Sequence, residues 1–454
     1  MTNQGASKLA FRTLDQLTDR YPSVAPSVAQ KILLAAAGNR IAHSFYLMKY
    51  RAVLRRIRSF DRILVVADVN IGDAITIQQS VAVFRHFFPA SRIDYACNQT
   101  GGELMRGMPE ANNVFRVFSS NNGFPREDDL RTLENIVRQA DYTVIICFSP
   151  FVPKKQFRRY AQFVPMYVPL ASHIFRRWKE DNGRRHLSEA VFTVTKNLLE
   201  PLAVPGNRGN AVQRRMYRVP RFDGNSVYLT TASIHHAERF LADHNLTPDM
   251  RLLFFNPDAT SRYSQIPLSV QKRILKRALE TDQIDGVLLG TGRSVEGIET
   301  LLSSSLPTTL REKLVIVPRL PIGAYAALID ACDMFLSSDT GPAHIAASRK
   351  VALSEYGSVR NHTSVVTVFG AGDSRMYGYD SGRSDHLRAN QSAPSRVFSG
   401  SPPCRNITCL NKWGKSCGEI RCFSGLVANE IIEYVEAHFR SIHKRESVTL
   451  SNVV

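Results

Sequence analysis

The chain has 454 residues, enough for two or three domains that each bury a core. Its composition, 44% hydrophobic and 22% charged, is that of a folded soluble protein and excludes a chain that is disordered throughout. A formal net charge of +18 indicates an anionic partner, and charge alone leaves nucleic acid, an acidic membrane surface and a phosphorylated substrate open.

Neither a secretory signal nor a membrane span is visible in the sequence. The polar N-terminus lacks an apolar signal region, and no later segment reaches the roughly 20 apolar residues that cross a bilayer. An odd total of seven cysteines argues against a secreted disulfide framework. We therefore expect a cytoplasmic protein, with a peripheral position on the inner face of the cytoplasmic membrane as an additional possibility.

Residues 1–60 are predicted to form a mainly helical, basic and amphipathic N-terminal extension. The apolar positions at helical spacing are Ile41, Phe45, Met48 and Ala52. The basic positions in the same segment are Lys49, Arg51, Arg55, Arg56 and Arg58. Such a helix can lie on an anionic membrane, or its apolar side can pack on the domain that follows while the arginines face solvent.

Residues 61–225 alternate apolar strand patterns with helical ones, which predicts a parallel sheet covered by helices. The expected strands are 63–67, 93–96, 114–118 and 142–147. The stretch 154–185 then interleaves basic and aromatic residues, a pattern that suits single-stranded nucleic acid, a membrane interface or the pocket of a phosphorylated lipid.

A second alternating set, assigned to residues 226–425, follows a Gly-, Pro- and Asn-containing linker at 201–225. Its expected strands are 252–256, 286–289, 314–317, 334–337 and 365–369, and residues 378–403 read as a long loop. Residues 426–454 are predicted to form a last helix and a disordered tail. The whole predicts an α/β protein with two Rossmann-like, doubly wound domains facing a central cleft.

Asp73 is the candidate catalytic residue of the first half. It follows the strand pattern at 63–67 and lies where a helix begins, at the carboxyl end of a strand, where open α/β sheets place their active sites. A carboxylate there can act as a general base. The alternative is that Asp73 only caps or complements the following helix. No dinucleotide-binding glycine motif and no Gly-Lys-Ser/Thr loop occurs at this strand.

The corresponding feature of the second half is the stretch from Asp339 to Ala347. It reads as a buried strand ending in a turn that opens a helix, where free N–H groups can meet a diphosphate. Asp339 or Thr340 can cap this helix, Gly341 permits close approach of a ligand, and Pro342 suits the first turn. The alternative is an ordinary capped helix.

Taken together, the motifs resemble the heptosyltransferases of glycosyltransferase family nine. The matching words of the first half are Ile63-Leu64-Val65-Val66 with Ile71-Gly72-Asp73, Phe87-Phe88-Pro89 with Ile93-Asp94, and Glu103 to Gly107 with Pro109. Those of the second half are Phe255-Asn256-Pro257 through Ser261-Arg262, Leu288-Leu289-Gly290, Leu328-Ile329 with Asp333, Asp339-Thr340-Gly341-Pro342 with His344, and Val368-Phe369-Gly370. The resemblance covers about residues 61–438 and implies the GT-B fold, with an N-terminal acceptor domain and a C-terminal nucleotide-sugar donor domain.

The resemblance also implies an activity. It is the inverting, metal-independent transfer of a sugar, usually heptose from ADP-heptose, to a lipopolysaccharide core or a similar anionic, lipid-linked glycan. No cofactor is expected besides this nucleotide-sugar donor. Departures from the family include an inserted segment at 351–364. The alternatives are a related transferase with another donor that acts on capsule or protein, and a non-catalytic GT-B protein that binds anions or nucleic acid.

By position, the resemblance gives each candidate residue a role. Asp73 would take the proton of the acceptor hydroxyl. Donor binding would fall to Arg262, Glu296, Asp339, Thr340, Gly341 and His344. Within that set, Arg262 would meet the phosphates and Glu296 the ribose. His344 would either touch the donor or brace the loop.

Four cysteines cluster near the C-terminus, at Cys404, Cys409, Cys417 and Cys422. They can hold a structural zinc ion, form disulfides, or remain free or redox-sensitive thiols. Their spacing lacks the tight Cys-x-x-Cys pairs of most structural zinc sites, and all three interpretations remain open.

Overall fold

The computed structural model describes residues 40–57, 59–67, 70–119, 125–167, 169–170, 186–203, 220, 222–259, 263–290, 307–355, 357–372, 374–381, 394–401 and 421–451. The chain divides into two compact units, Met1–Val227 and Tyr228–Val454. None of the helices within the described ranges is long and apolar enough to span a bilayer.

The first unit is built on one parallel sheet. Its elements are α1 (Arg40–Leu54), β1 (Arg62–Val66), α2 (Ile71–Phe87), β2 (Arg92–Asn98), α3 (Gln99–Met105), β3 (Asn113–Phe118), α4 (Glu127–Ala140), β4 (Val144–Cys147), α5 (Lys154–Phe157), β5 (Gln162–Pro165) and α6 (Leu187–Ala203). The strand order is β3-β2-β1-β4-β5, with every pair parallel.

Strand β1 is central because its side chains are apolar on both faces. Residues 63–66 are fully buried, as expected for a strand covered by helices on both sides. Ile63 lies opposite Ile93 of β2 and Val144 of β4. The chain runs outward from β1 to β3 and then returns to β4 on the other side. This order places a topological switch point, the usual ligand position of such sheets, at the carboxyl ends of β1 and β4.

The second unit repeats this architecture on a larger sheet. Its elements are β6 (Ser226–Leu229), which begins in the first unit, α7 (Thr231–Asp243), β7 (Leu252–Asn256), α8 (Leu268–Glu280), β8 (Gly286–Gly290), α9 (Thr308–Arg311), β9 (Leu314–Val317), α10 (Ile322–Asp330), β10 (Met334–Ser338), α11 (Gly341–Ala347), β11 (Arg349–Ala352), β12 (Ser364–Phe369), α12 (Ser374–Tyr377), β13 (Arg396–Ser399) and α13 (Ala428–Ser451). The order β13-β12-β10-β7-β8-β9 is parallel throughout and places a second switch point at β7 and β10.

The segment after α11 is fixed at both of its ends. Strand β11 pairs with β6. The Lys350 N–H donates to Asn361 Oδ1 at 2.7 Å, and Asn361 Nδ2 donates to the Lys350 carbonyl at 2.9 Å. The two carboxylate oxygens of Asp330 accept from the N–H groups of Arg360 and Asn361. Residues 351–360 are therefore enclosed by a bridge of hydrogen bonds between Lys350 and Asn361.

The strands expected from the sequence are confirmed with small shifts at their ends. The prediction of a loop throughout 378–403 is wrong at Arg396–Ser399, because these residues form the edge strand β13 beside β12. Helix α13 continues to Ser451, through the part for which a disordered tail was expected. Residues 1–39 and most of the linker lie outside the described residues, and the predicted domain boundaries remain predictions.

Candidate functional site

Asp73 lies in the first turn of α2, directly after the switch point of the first sheet. The N-cap residue of this helix is Asn70, which makes no side-chain capping bond and instead donates from Nδ2 to Asp73 Oδ2 at 2.9 Å. Thr76 Oγ1 donates to the Asp73 carbonyl at 3.2 Å. Asp73 is half-buried. Its carboxylate is thus oriented by a neighbour in sequence and remains reachable from solvent.

The backbone beside Asp73 is packed tightly. Tyr95 donates from its hydroxyl to the Ala74 carbonyl at 2.7 Å, and burial raises the pKa of Tyr95, so this donor keeps its proton at neutral pH. A Cβ added to Gly101 would lie 2.7 Å from Ala74 Cβ, which shows how closely α3 approaches the start of α2. The first turn of α2 is therefore held on two sides.

The turn after β10 forms the polar edge of the second sheet. Thr340 occupies the N-cap position of α11, as predicted for Asp339 or Thr340. Its side chain makes no capping hydrogen bond. The Thr340 hydroxyl instead lies 3.0 Å from Ser337 Oγ and 3.3 Å from the Ser338 carbonyl. Asp339, Thr340 and Gly341 are all half-buried, which leaves them accessible to a ligand.

Asp339 lies against a glycine that follows the neighbouring strand, β12. A Cβ at Gly372, just beyond the end of β12, would stand 2.2 Å from Asp339 Oδ2 and 3.0 Å from its Cγ. No side chain other than hydrogen fits there without moving the carboxylate. The position of Asp339 therefore depends on the glycine-containing end of β12.

His344 is 6% exposed and packs edge-on against the ring of Tyr379, with centroids 5.6 Å apart. Its Nδ1 lies 2.7 Å from the Tyr379 hydroxyl. The His344 carbonyl accepts from the hydroxyl of Ser348 at 2.7 Å. These contacts support the bracing interpretation of His344, because one ring nitrogen is engaged by a buried neighbour.

The remaining predicted site residues cannot be placed. Arg262 and Glu296 lie outside the described residues, as do Cys404, Cys409 and Cys417. Cys422 is described and is buried in the core of the second unit beside Phe423. Within the described ranges no group of three or more His, Cys, Asp or Glu side chains is arranged to hold a metal ion. The state of the cysteine cluster remains a prediction.

Several residues at the site were not singled out for a role from the sequence. They are Ser337, Asn256, Tyr325, Gly372 and Tyr379. Polar residues at the ends of the apolar strands β7 and β10 were a usable signal for Asn256 and Ser337. The other three, Tyr325, Gly372 and Tyr379, come from elsewhere in the chain, and only the fold brings them to Asn256, Asp339 and His344 respectively.

The basic and aromatic stretch is partly accounted for by contacts within the first unit. The Tyr160 hydroxyl donates to Glu134 Oε1 at 2.7 Å, and the guanidinium of Arg159 lies 4.8 Å from the Tyr160 ring centroid. Phe163 is buried in the core. Residues 171–185 lie outside the described part of the chain. Arg159, Tyr160 and Phe163 therefore make contacts within the first unit.

Helix α1 buries a different stripe from the one that helical spacing suggested. Leu47, Tyr50 and Leu54 are buried, whereas Met48 is 60% exposed and Ala52 is also exposed. The helix packs against α6 and β5. An apolar side does pack on the domain that follows, and contact of the outer side with a membrane remains a prediction.

Comparison with known families decides the class of the protein. Residues 228–371 match the family model described as glycosyltransferase family 9 (heptosyltransferase), a range that contains the Asp339–Thr340 turn and His344. The chain contains a glycosyltransferase family 9 domain. The family expected from the sequence and the class of enzyme, a glycosyltransferase, are confirmed.

Solved structures extend the likeness beyond the matched range. The glycosyltransferase family 9 protein from Veillonella parvula aligns with a TM-score of 0.56 and 17% identity, covering 84% of this chain and 98% of that one. The E. coli heptosyltransferase WaaC, solved with ADP, aligns with a TM-score of 0.50 and 16% identity, covering 83% and 99%. These likenesses confirm the predicted GT-B fold. A comparison with curated proteins gave no match.

Proposed function

We propose that this family 9 glycosyltransferase moves a sugar, with heptose as the first candidate, from a nucleotide-diphosphate sugar to a lipopolysaccharide-core or similar anionic glycan. The observation that carries the proposal is the half-buried Asp339–Thr340 turn, at the switch point of the second sheet and inside the matched family domain. ADP-heptose is the first donor to test, because the E. coli heptosyltransferase of similar fold was solved with ADP.

On the donor side, Thr340 and Gly341 would bind the diphosphate. Helix α11 has only seven residues, so we assign binding to individual N–H groups and to the Thr340 hydroxyl rather than to a long helix dipole. The Asp339 carboxylate would accept hydrogen bonds from sugar hydroxyls. Arg262 would supply positive charge near the phosphates and Glu296 a ribose contact; both roles come from the family resemblance.

On the acceptor side, Asp73 would act as the general base. The acceptor oxygen attacks the anomeric carbon as its proton passes to the Asp73 carboxylate. The bond from that carbon to the diphosphate oxygen breaks, and the nucleoside diphosphate leaves with the electron pair. Attack opposite the leaving group inverts the configuration. The charge that develops on the diphosphate is stabilised by the donors around Thr340, and the proposal includes no metal ion.

The location follows from the same reasoning. An anionic, lipid-linked acceptor would bring the protein to the inner face of the cytoplasmic membrane. A net charge of +18, with Arg55 and Arg56 exposed at the end of α1, supports attraction to such a surface. We therefore include a cytoplasmic, peripheral location in the proposal.

A nucleotide screen tests the donor site. We would measure the thermal shift of the full chain with ADP, UDP, GDP and their sugar conjugates, and repeat it with Thr340→Ala and Arg262→Ala. Ligand at 100 times its Kd stabilises a folded protein by about 2.7 kcal/mol. We expect one nucleotide to stabilise the chain and both variants to lose this shift. Thr132→Ala, at an exposed position on α4, is the control and should keep it.

Absence of a shift with every nucleotide would contradict the donor-site proposal. It would favour the alternative in which the fold binds anions or nucleic acid without chemistry. That alternative predicts binding of single-stranded nucleic acid that weakens steeply as the salt concentration rises.

A further inference from the structure

A chain of hydrogen bonds leads through the second unit to Thr340. The Tyr325 hydroxyl on α10 donates to Asn256 Oδ1 at 3.0 Å. Asn256 Nδ2, at the end of β7, lies 3.4 Å from Ser337 Oγ, and Ser337 Oγ lies 3.0 Å from Thr340 Oγ1. Asn256 is 5% exposed and Ser337 is fully buried. The hydrogen bonds thus run from half-buried Tyr325, through the buried Asn256 and Ser337, to the half-buried turn.

The donors along this chain can all point in one direction. Burial raises the pKa of Tyr325, so its hydroxyl remains a donor at neutral pH. An amide has separate donor and acceptor atoms, so Asn256 accepts from Tyr325 and donates to Ser337. The Ser337 hydroxyl has two acceptors within reach, the Ser338 carbonyl at 3.0 Å and Thr340 Oγ1.

The hydrogen bond between Tyr325 and Asn256 fits beside the end of β8 because residue 290 is a glycine. A Cβ at Gly290 would lie 2.9 Å from the Tyr325 hydroxyl and 3.0 Å from Asn256 Oδ1. Only glycine accommodates that hydrogen bond in its present place. The beginning of the chain is therefore built by three elements together, α10, β7 and β8.

We infer that Tyr325, Asn256 and Ser337 are positioning residues that turn the Thr340 hydroxyl proton toward an anionic ligand, taken here as the diphosphate of the proposed donor. Thr340 Oγ1 itself lies 3.3 Å from the Ser338 carbonyl, to which it can donate. When Ser337 donates to Thr340 Oγ1, the single proton of Thr340 can turn from that carbonyl to a phosphate oxygen. Successive hydrogen bonds that point the same way polarise and strengthen one another. This inference depends on the proposed donor site, and its experiment separates the two.

The test measures the affinity of each variant for a nucleoside diphosphate and for the matched nucleoside: ADP and adenosine, UDP and uridine, GDP and guanosine. The pair is the one whose diphosphate binds the unmodified chain. Because a single hydrogen bond contributes modestly, Ser337→Ala and Tyr325→Phe should each weaken diphosphate binding about threefold to tenfold, while binding of the nucleoside stays the same. Thr340→Val should weaken diphosphate binding by at least as much.

A double-mutant cycle distinguishes positioning from general loosening. In the Thr340→Val background, Ser337→Ala should cause no further loss of diphosphate affinity, because the hydroxyl that it orients is gone. Thr340→Ser keeps the hydroxyl and should retain most of the affinity. Ser338→Ala is the matched control. It also removes a buried hydroxyl of β10, one that donates to the Asp258 carbonyl at 3.0 Å, and should leave the ratio of diphosphate to nucleoside affinity unchanged.

Two results would overturn the inference while leaving the donor site intact: equal weakening of diphosphate and nucleoside by Ser337→Ala, or full additivity of Ser337→Ala with Thr340→Val. A failure of the proposed function looks different, because no nucleoside diphosphate would then bind the unmodified chain, or Thr340→Val would leave its binding unchanged.

Discussion

The polar edges of the two sheets differ in how far apart in sequence their interacting residues lie. Asp73 is oriented by Asn70, three residues away in the same turn. Thr340 contacts nearby Ser337, but that serine is joined to Asn256, 81 residues away. The hydrogen bond from Asn70 to Asp73 is a local contact, whereas the hydrogen bonds that lead to Thr340 are a tertiary assembly. Substitutions near Asp73 should therefore alter chemistry alone, while remote substitutions in the second unit should alter binding.

The largest expected effect is that of Asp73→Asn. The amide keeps the size of the side chain but cannot accept the proton of the acceptor, and general-base catalysis contributes about 100-fold to 10,000-fold. We expect kcat to fall within that range while the Kd of the donor stays the same, measured by product formation and by calorimetry.

The matched control for this change is Asp61→Asn, at an exposed position just before β1. It should keep both quantities. A D73N variant that retains more than about a tenth of the activity, well above the range for loss of a base, would contradict the role of Asp73.

Gly372→Ala tests how far the donor side depends on remote positions. The new Cβ would collide with Asp339 Oδ2, and overpacking of this kind costs about 1–3 kcal/mol. We expect affinity for the nucleotide sugar to fall roughly tenfold or more, with a smaller loss for the nucleoside diphosphate, because Asp339 is assigned to the sugar. Calorimetry with both ligands measures the difference.

The control for the glycine variant is the same substitution in an Asp339→Ala background. There the carboxylate is absent, so Gly372→Ala should cost little more. Equal losses in both backgrounds would show that the added methyl group acts elsewhere.

The last effect is one on stability, and it concerns the support of α11 and its dependence on pH. Lys350 is buried and donates from Nζ to the Ala346 carbonyl, and burial lowers its pKa to about 8, against a small opposing effect of Asp330. The unfolded chain, with the ordinary lysine pKa of 10.5, binds more protons between these values. The free energy of unfolding should therefore rise with pH across this window, by about 1–3 kcal/mol.

Lys350→Met should remove this rise, as measured by urea unfolding at several pH values. Lys272→Met, at an exposed position on α8, should keep it. Parallel pH profiles of the unmodified chain and Lys350→Met would contradict the assignment.

The parts of the fold and of the candidate site that depend on local contacts could be predicted from the sequence, and those that depend on distant contacts could not. The central strands are uninterrupted apolar runs, and the turns after β1 and β10 carry their polar residues in order, so both edges could be predicted. Gly372 and Tyr379 could not be assigned to the site, because their contacts depend on which strands become neighbours. Arg262 and Glu296 rest on family resemblance alone.

Two misreadings have physical causes. Strand β13 is an edge strand with exposed and half-exposed side chains, so it lacks the apolar run that marks the central strands, and its sequence predicts a loop. Helix α1 carries apolar residues on two sides, and spacing alone selected the side on which Met48 is 60% exposed. Periodicity identifies a helix but does not choose between two apolar faces.

The bridge between Lys350 and Asn361 makes the intervening segment a tolerant place for insertions and deletions. Doubling the length of a closed loop costs only about 0.6 kcal/mol in chain entropy. Because the bridge fixes both ends, residues 354–359, between β11 and the Arg360 N–H that Asp330 holds, can be exchanged for segments of other lengths while α11 keeps its anchor at Lys350. A change of length here should therefore leave the turn at Thr340 in place, and loop grafting across this bridge is a direct route to chimeric enzymes.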